Sequence, residues 1–376
     1  MSLFQLLGLT LISVSEHNIQ YKKALRLVNL VWMMGSIGVF VYLTVECKFF
    51  NRNYSRMTDI FSIVNYLIAL GCNIFILLHV QMVKNSDIQF NEKLHKMDRI
   101  SSEYFKHNIN YRTLNKTCLL KLCVTLCAVF MCVSVNVFYS IKKHDLPLFV
   151  VHNCFLILII NLRYMQNFLA IDAMKARIIC LHKTIQQILQ HNTIEWKIVL
   201  VVDTQKHCHN VQRKIDDPID VVMFKQFYAT LYESMKLMED CFGWSQLFQI
   251  TYSFINLTSN LYWFFIAILN LDSSINVVNC CFKIAPSVAL ICMLIQSSFD
   301  CNRKMKNTIN LVSKLYTMTT SDYNHMVKEF LMQIIHIPIE ISANDFFNID
   351  FHLFSAVRNT IIQKQRFNDR IYKQYL

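Results

Sequence analysis

Charged residues, glycine and proline are all scarce in this sequence. Only 16% of its 376 residues are charged, whereas soluble domains carry about 25%. Hydrophobic residues make up 54% of the chain, and they are concentrated in runs long enough to cross a bilayer. The shortage of charge therefore excludes a large soluble core and indicates a helical integral membrane protein. The 5 Gly and 4 Pro leave few positions at which a membrane helix could break, which argues against a secondary transporter.

The sequence also lacks the residue patterns of catalysis and of metal binding. Nothing in it resembles a hydrolase triad, a phosphate loop or a carboxylate pair, and its acidic residues are scattered among Lys and Arg as on solvated helix faces. Most of the 14 Cys lie inside apolar runs, where they are typical of packing residues rather than disulfides. His207-Cys208-His209 is a lone cluster on a polar stretch and is interpreted as solvated surface. We expect no enzyme activity, no cofactor and no metal.

Six apolar stretches are predicted to cross the membrane, so the expected fold class is an all-α, polytopic helical bundle. The stretches are residues 27–45, 60–83, 118–140, 148–171, 242–269 and 275–296. The predicted organisation is an N-terminal segment 1–26, spans one to four within 27–171, a helical connection 172–241, spans five and six within 242–296, anchor helices 297–343 and a final segment 344–376. The connection is expected to prolong spans four and five as long cytoplasmic helices rather than to form a separate domain.

Lysine and arginine are distributed unevenly between the two sets of connections. The N-terminal segment and the second, fourth and sixth connections hold 24 of them, and the first, third and fifth hold 5. Because cytoplasmic loops are enriched in Lys and Arg, we predict a cytoplasmic N-terminus and a multi-pass protein of the plasma membrane. This orientation argues against a G-protein-coupled receptor, whose N-terminus lies outside. Asn53-Tyr54-Ser55 is a glycosylation sequon on the predicted outer side.

The formal net charge of +12 allows three interpretations. A basic protein can bind nucleic acid, contact anionic lipid or carry the bias of cytoplasmic loops. The last interpretation is favoured because the basic residues alternate between the two sides of the membrane. Membrane lipid is therefore an expected partner, and nucleic acid is not.

A seventh apolar run begins near the C-terminus but is short. From Phe346 to Val357 there are 12 residues, which reach about 18 Å as a helix, whereas the hydrocarbon core is about 30 Å thick. Arg358, Lys364 and Arg366 follow, and a charged residue at the bilayer centre costs about 2.5–3.5 kcal/mol on insertion scales. We predict an incomplete last helix followed by a polar tail that stays in the cytoplasm.

Aromatic and polar side chains are concentrated in the outer halves of the spans. Apolar walls with a few polar orienting groups suit an amphipathic small molecule, while the aromatic belt at the membrane interface is the alternative for any single residue. The candidate ligand-binding residues are Tyr66, Tyr139, His152, Phe155, Tyr262, Trp263 and Lys283. For Lys283, a side chain that reaches the outer interface is the other interpretation.

Arg163 lies deep in span four, with Asn161, Gln166 and Asn167 around it. Ionisable groups at membrane depth usually face a bundle interior or water. Two roles remain open for Arg163. It either belongs to a buried polar network that fixes helix packing, or it couples ligand binding to a gate.

Several segments of the chain share a residue pattern with a known receptor family. They are Leu231-Tyr232 through Phe242-Gly243, Tyr252-Ser253-Phe254, Leu261-Tyr262, Glu329-Phe330 with Gln333 and His336, and Ile341-Ser342-Ala343 through Leu353-Phe354. Together with Leu162-Arg163-Tyr164 they resemble the insect gustatory receptors, part of the insect chemoreceptor superfamily. The resemblance in specific residues covers mainly 230–357, and the layout covers most of the chain.

The resemblance implies a tastant-gated, non-selective cation channel in chemosensory neurons, assembled as a homo- or heterotetramer with related subunits. It also implies that Gln333 and His336 belong to the helix that leads into the last span, with a packing or coupling role. The family's closing motif is a Thr-Tyr pair, five apolar residues and then Gln-Phe, in the helix that lines the pore. Here Arg358 through Phe367 stand in its place. A non-conducting or modulatory subunit is therefore an open alternative, and a secondary transporter is another.

Overall fold

The structure is a computed structural model of the chain, and it describes residues 19–45, 57–105, 111–143, 147–202, 218–269, 274–318, 321–339 and 341. Eight helices account for almost all of these residues. They are α1 (Ile19–Val45), α2 (Met57–Met82), α3 (Lys84–Glu103), α4 (Tyr111–Lys143), α5 (Pro147–Val202), α6 (Pro218–Leu269), α7 (Ser274–Met318) and α8 (Ser321–His336). The predicted all-α fold class is confirmed.

Four described helical stretches are long and apolar enough to cross a bilayer. They are Ile63–Met82, Tyr111–Val135, Leu148–Gln190 and Cys280–Met318, and they overlap predicted spans two, three, four and six. The first predicted span contains a shorter apolar helix, Leu30–Leu43. The fifth lies in α6, where Gln, Ser and Asn interrupt the apolar sequence. The number of spans and their orientation stay predictions.

Two helices are much longer than the membrane is thick. α5 has 56 residues and α6 has 52, which correspond to about 84 Å and 78 Å at 1.5 Å per residue. The hydrocarbon core is about 30 Å thick, so both helices extend well beyond it. α5 runs on to Val202 and α6 begins at Pro218. Most of the predicted connection 172–241 is therefore occupied by these two extensions.

Two amphipathic helices cover the extensions. In α3 the buried residues Phe90, Leu94 and Met97 recur every three or four positions, and in α8 Val327 and Phe330 do the same. α3 packs mainly on α6, and α8 packs on α6 and α7. We call this assembly the helical base, defined as α3, α8 and the parts of α5, α6 and α7 within residues 172–241 and 297–318.

Aromatic rings fill the core of the helical base. Phe105 packs between Phe224 and Phe227, with ring centroids 5.1 and 5.4 Å away. Phe330 of α8 meets the edge of Tyr228, with centroids 6.1 Å apart. Phe224, Phe227, Tyr228 and Phe330 are all at most 1% exposed. The base is thus a closely packed core of the kind found in soluble helical proteins.

Ion pairs connect the helices of the base to one another. Arg177 pairs with Asp98 at 2.8 Å, Lys175 with Asp300 at 2.7 Å, Lys225 with Glu329 at 2.6 Å, and Lys93 pairs with Glu233. At its boundary with the membrane spans, Lys121 of α4 pairs with Asp172 and donates to Ser297 Oγ at 2.7 Å. The charged residues of the connections therefore bind neighbouring helices as well as facing solvent.

Candidate ligand site

A buried hydrogen bond joins two of the predicted ligand-binding residues. The Tyr66 hydroxyl of α2 and Nδ1 of His152 in α5 are 2.7 Å apart, and the two rings meet edge to face. Tyr66 is 2% exposed and His152 is 7% exposed. The second ring nitrogen of His152, Nε2, is buried and makes no hydrogen bond within the described residues. The pair thus presents a polar ring atom that is free to contact another molecule.

Aromatic side chains of α1 and α5 lie around this pair. The ring of Phe149 lies 5.0 Å from that of Tyr66, and Phe40 of α1 lies 6.5 Å from it. Trp32 of α1 packs on the predicted residue Phe155 at 5.0 Å. Sequence reasoning missed Trp32, Phe40 and Phe149. Their aromatic character was visible, but nothing in the sequence showed which face of α1 meets α5.

Amide and hydroxyl groups tie α6 to the same part of the bundle. Ser259 Oγ donates to Asn65 Oδ1 at 3.3 Å, beside Tyr66. Asn260 Nδ2 donates to the carbonyl of Asn256 at 2.8 Å. Tyr262 and Trp263 follow less than one turn later, with their rings 5.2 Å apart. These two predicted residues contact each other, and Tyr262 is 39% exposed.

The other predicted ligand and glycosylation residues occupy more varied positions. Lys283 is half-buried in α7, where its carbonyl accepts a hydrogen bond from Ser287 Oγ at 3.2 Å. Tyr139 belongs to α4, and its side chain lies outside the described part of the chain. Asn53 and the predicted incomplete helix within 344–376 also lie outside the described residues. Their predicted roles stay predictions.

Arg163 is buried at the junction of α5 and α6. Its guanidinium donates to Ser245 Oγ at 3.3 Å, to Gln166 Oε1 at 3.0 Å and to the Cys241 carbonyl at 2.5 Å. The Phe242 ring lies against it, 4.4 Å from the ring centroid. Arg163 is only 4% exposed, so this set of acceptors replaces the water that the charge would otherwise need. The structure therefore places Arg163 in a buried polar network.

Asp87, in the first turn of α3, brings a negative charge toward this network. Burial raises the pKa of Asp87 to about 6, while the Arg163 charge acts in the opposite direction. The Arg163 guanidinium thus lies within electrostatic range of the Asp87 carboxylate, which belongs to the start of the base.

Gln333 and His336 both belong to α8. Gln333 is half-buried, and its carbonyl accepts a hydrogen bond from the backbone N–H of Ile337 at 3.0 Å. His336 is exposed. Both lie in the helical base beside Phe330 and Ile334, which are buried residues of the same helix. Their predicted packing or coupling role stays a prediction.

Comparison with known proteins identifies a family and a fold. A model of the family described as 7tm Chemosensory receptor matches residues 1–362. Gustatory receptor 23a of Drosophila melanogaster is 29% identical over 143 residues, which cover 37% of this chain and 37% of that protein. Putative gustatory receptor 2a of the same organism is 23% identical over 226 residues, which cover 54% and 51%. The chain thus spans about half or less of the length of these curated relatives.

The fold matches that of an insect olfactory receptor. The structure of OR5 from Machilis hrabei superimposes with a TM-score of 0.61 at 11% sequence identity, covering 96% of this chain and 94% of that one. The same receptor in complex with eugenol superimposes with a TM-score of 0.59, covering 96% and 93%. At this identity the likeness shows a shared fold.

Proposed function

The chain belongs to the 7tm chemosensory receptor family, and from this premise we propose that it is a gustatory receptor subunit of a tastant-gated, non-selective cation channel. The family match covers residues 1–362, and the resemblance to insect gustatory receptors is confirmed. The chain is a multi-pass membrane protein of a receptor family and not of an enzyme family. Family membership also argues against the secondary transporter that the sequence left open.

The buried pair of Tyr66 and His152 carries the proposal of a ligand site. A site for a small amphipathic molecule needs apolar walls and a few polar groups that orient the ligand. The rings of Phe40 and Phe149 supply walls, and His152 Nε2 supplies an unsatisfied polar atom. We propose that the tastant binds here, with Phe155, Tyr262, Trp263, Tyr139 and Lys283 as further candidates. OR5, the structural neighbour, was solved with the small molecule eugenol.

Assembly into a homo- or heterotetramer with related subunits is also proposed. Met332 and Ile335 of α8 are 44% and 50% exposed. They belong to the helical base, which is predicted to lie in the cytoplasm, where lipid tails cannot cover them. Large apolar side chains exposed together on a soluble surface are typical of protein–protein contact. Their exposure in a single chain supports a neighbouring subunit at this surface.

A non-conducting or modulatory subunit is the second candidate. The observation that favours it is the charge after Val357, where Lys364 and Arg366 would have to enter the bilayer if the last helix crossed it. Recording currents from cells that express the full chain alone, and then together with a related receptor subunit, separates the two candidates. A ligand-evoked cation current from the chain alone supports the first. A change in the partner's current without any current from the chain alone supports the second.

The ligand site is tested by removing one hydroxyl group. Tyr66→Phe keeps the ring and deletes the hydrogen bond to His152, which is worth about 1 kcal/mol. We expect the half-maximal concentration of an activating tastant to rise about fivefold, with surface expression unchanged. His152→Asn, which removes Nε2, should have the larger effect. Tyr316→Phe, in the base part of α7, is the matched control and should leave the dose response unaltered. Unaltered responses in both site variants would exclude this ligand site.

The proposed orientation has a separate test. An epitope tag at the N-terminus should be stained by antibody only after permeabilisation, because the basic residues place that end in the cytoplasm. Staining of intact cells would reverse the orientation. The outer ligand site would then face the cytoplasm, and the channel proposal would fail with it.

A further inference from the structure

In the membrane part of the bundle, seven buried polar atoms of α2, α5 and α6 make no hydrogen bond within the described residues. Six residues of α2, α5 and α6 carry them, and two of the atoms belong to one residue. They are Asn73 Oδ1 and Nδ2, His79 Nδ1, His152 Nε2, Asn167 Nδ2, Gln246 Nε2 and Gln249 Oε1. Each of these residues is at least nine-tenths buried. Because nearly all buried polar groups in proteins have a partner, a group of this size needs an explanation.

Three contacts define the interface of α2, α5 and α6 along which these residues lie. Near the top, Tyr66 of α2 contacts His152 of α5. In the middle, Gln249 Nε2 of α6 donates to the Ile160 carbonyl of α5 at 3.2 Å. Lower down, Arg163 donates to Ser245. Gln246 lies between the last two contacts along α6, on the same side as Gln249 because three residues make almost one turn.

The two residues of α2 with unsatisfied atoms, Asn73 and His79, lie along the same interface. Asn73 lies seven residues, or about two turns, below Tyr66 on the same face of the helix. It is therefore close to the level of Ile160, where Gln249 crosses. Phe75 of α2 stacks on Phe248 of α6 with ring centroids 3.9 Å apart, which fixes the relative height of these two helices. His79 stacks on Phe75 one turn lower, with ring centroids 6.0 Å apart.

The unsatisfied atoms thus form a column rather than a single point. His152 and Asn167 mark its ends on α5, and the 15 residues between them correspond to about 22 Å of helix. This is most of the thickness of a hydrocarbon core of about 30 Å. The upper end is the Tyr66–His152 pair, and the lower end reaches the Arg163 network.

The chemistry of the atoms identifies what could satisfy them. The column contains donors, on Asn167 and Gln246, and an acceptor, on Gln249, and Asn73 offers one of each. A metal ion would use only the acceptors, and the described residues hold no cluster of three His, Cys, Asp or Glu side chains. A lipid tail would satisfy none of them. Water both donates and accepts, and buried waters typically make about three hydrogen bonds each.

We propose that α2, α5 and α6 enclose a chain of ordered water molecules along this column, which we call the hydrated seam. Its upper end is His152, where the tastant is proposed to bind, and its binding groups are the five other residues with unsatisfied atoms. Water partners can exchange without breaking a fixed side-chain pair, so helices that meet across water can shift with little loss of hydrogen bonding. The hydrated seam therefore joins the candidate ligand site to the Arg163 network through a contact that can rearrange.

Hydroxyl-radical footprinting of the purified full chain in lipid nanodiscs tests the seam. Radicals formed from bound water label the side chains beside it. Tyr164 is 1% exposed and its hydroxyl bonds Ser253 at 2.9 Å, next to the seam. Tyr228 is also 1% exposed, but its hydroxyl donates to the Ile337 carbonyl in the helical base. We expect Tyr164 to be labelled severalfold faster than Tyr228. Equal labelling would overturn the proposal, and this comparison needs no variant.

A substitution within the seam sharpens the test. Asn73→Leu has nearly the same side-chain size and removes two of the seven polar atoms. We expect labelling of Tyr164 to fall toward that of Tyr228, while Tyr228 itself is unaffected. Asn310→Leu, at an exposed position of α7, is the matched control and should leave Tyr164 labelled as before. Unchanged labelling in folded Asn73→Leu protein would contradict the seam, whether or not the chain conducts ions.

Discussion

The helical base and the membrane interior use polar groups in opposite ways. In the base, charged side chains pair across helices, as Arg177 does with Asp98 at 2.8 Å, and aromatic rings fill the space between them. In the membrane interior, the polar groups other than Arg163 are mostly neutral amides, hydroxyls and imidazoles, and eight of their atoms, including the Thr125 hydroxyl, have no partner within the described residues. Four buried polar atoms of the base, on Asp98, Arg177, Ser298 and Asn324, also lack a partner within the described residues. The two parts therefore differ in the kind of polar group that they bury and in how closely aromatic rings pack around it.

This difference indicates which part of the receptor can change shape. Breaking a close-packed core costs several kcal/mol for each large side chain, so the base has one low-energy arrangement. A shift of the helices in the membrane interior costs less free energy, because water can replace a hydrogen bond between amides. Ligand binding at the Tyr66–His152 pair would thus act on the part of the molecule that is easiest to rearrange. Arg163 and Asp87 lie where the two parts meet.

The largest expected effect comes from removing the group that joins the two parts. Arg163→Leu removes three hydrogen bonds, to Ser245 Oγ, Gln166 Oε1 and the Cys241 carbonyl. Hydrogen bonds to charged groups are worth about 1.5–3 kcal/mol each, so we expect a loss of about 4 kcal/mol and little monodisperse protein after purification. Arg163→Lys keeps the charge but not the planar guanidinium. Its yield and melting temperature should lie between those of Arg163→Leu and wild type. Normal yield and melting temperature for Arg163→Leu would show that the network does not support the fold.

The second prediction compares equal truncations in the two parts. Phe330→Ala removes a fully buried ring that packs on Phe224 and Tyr228 in the base, and should cost about 3 kcal/mol of stability. Phe155→Ala removes a partly buried ring beside Trp32 in the outer bundle, and should cost less than half as much. Thermal melts of both variants measure the difference. Equal losses, or a larger loss for Phe155→Ala, would contradict a rigid base and an adaptable interior.

The sequence predicted the fold class and the family but only part of the site. Long apolar runs predict membrane helices because lipid offers no partner to the backbone. Tyr66 and His152 were both proposed from their depth and chemistry, and the structure brings them together. Their pairing could not be predicted, because helix–helix contacts depend on the rotation of each helix about its axis. The position of a residue along its helix does not tell which neighbouring helix its side chain faces.

The hydrated seam was missed for a related reason. Asn167 and Gln166 were recognised as polar neighbours of Arg163, because all three lie close together in the sequence. Asn73 and Gln249 are 176 residues apart, and each alone is a single polar residue in an apolar run. Only the packing of α2 against α5 and α6 places them at the same level. The signal in the sequence was the repeated Gln, Ser and Asn along α6, which is unusual for a membrane helix.

A smaller effect is expected from Asp87, where burial raises the pKa to about 6 from 3.8. Because the folded state holds the proton more tightly, this group adds stability at low pH. That contribution is complete below about pH 4 and is lost as the pH rises through about 6. The free energy of unfolding of wild type should therefore rise by about 1 kcal/mol from this residue when the pH is lowered from 7 to 5. Asp87→Asn should abolish that gain in thermal melts, and an identical pH dependence in wild type and variant would contradict the shift.

The smallest effect is expected where the base faces solvent. Glu329 pairs with Lys225 at 2.6 Å, but the Glu329 side chain is about half exposed. The hydrogen bond from Lys225 lowers the pKa of Glu329, so any stabilisation is present at neutral pH and is lost as the pH falls through the folded-state pKa. Water and salt screen an exposed pair strongly, and both long side chains lose freedom by pairing. We therefore expect Glu329→Gln and wild type to have indistinguishable melting temperatures at pH 7. Arg177→Met, which breaks a pair that is mostly buried, should lower the melting temperature clearly under the same conditions. If the two variants behaved alike, then burial would not distinguish the surface of the base from its interior, and the stability of the base would have to come from its apolar core alone.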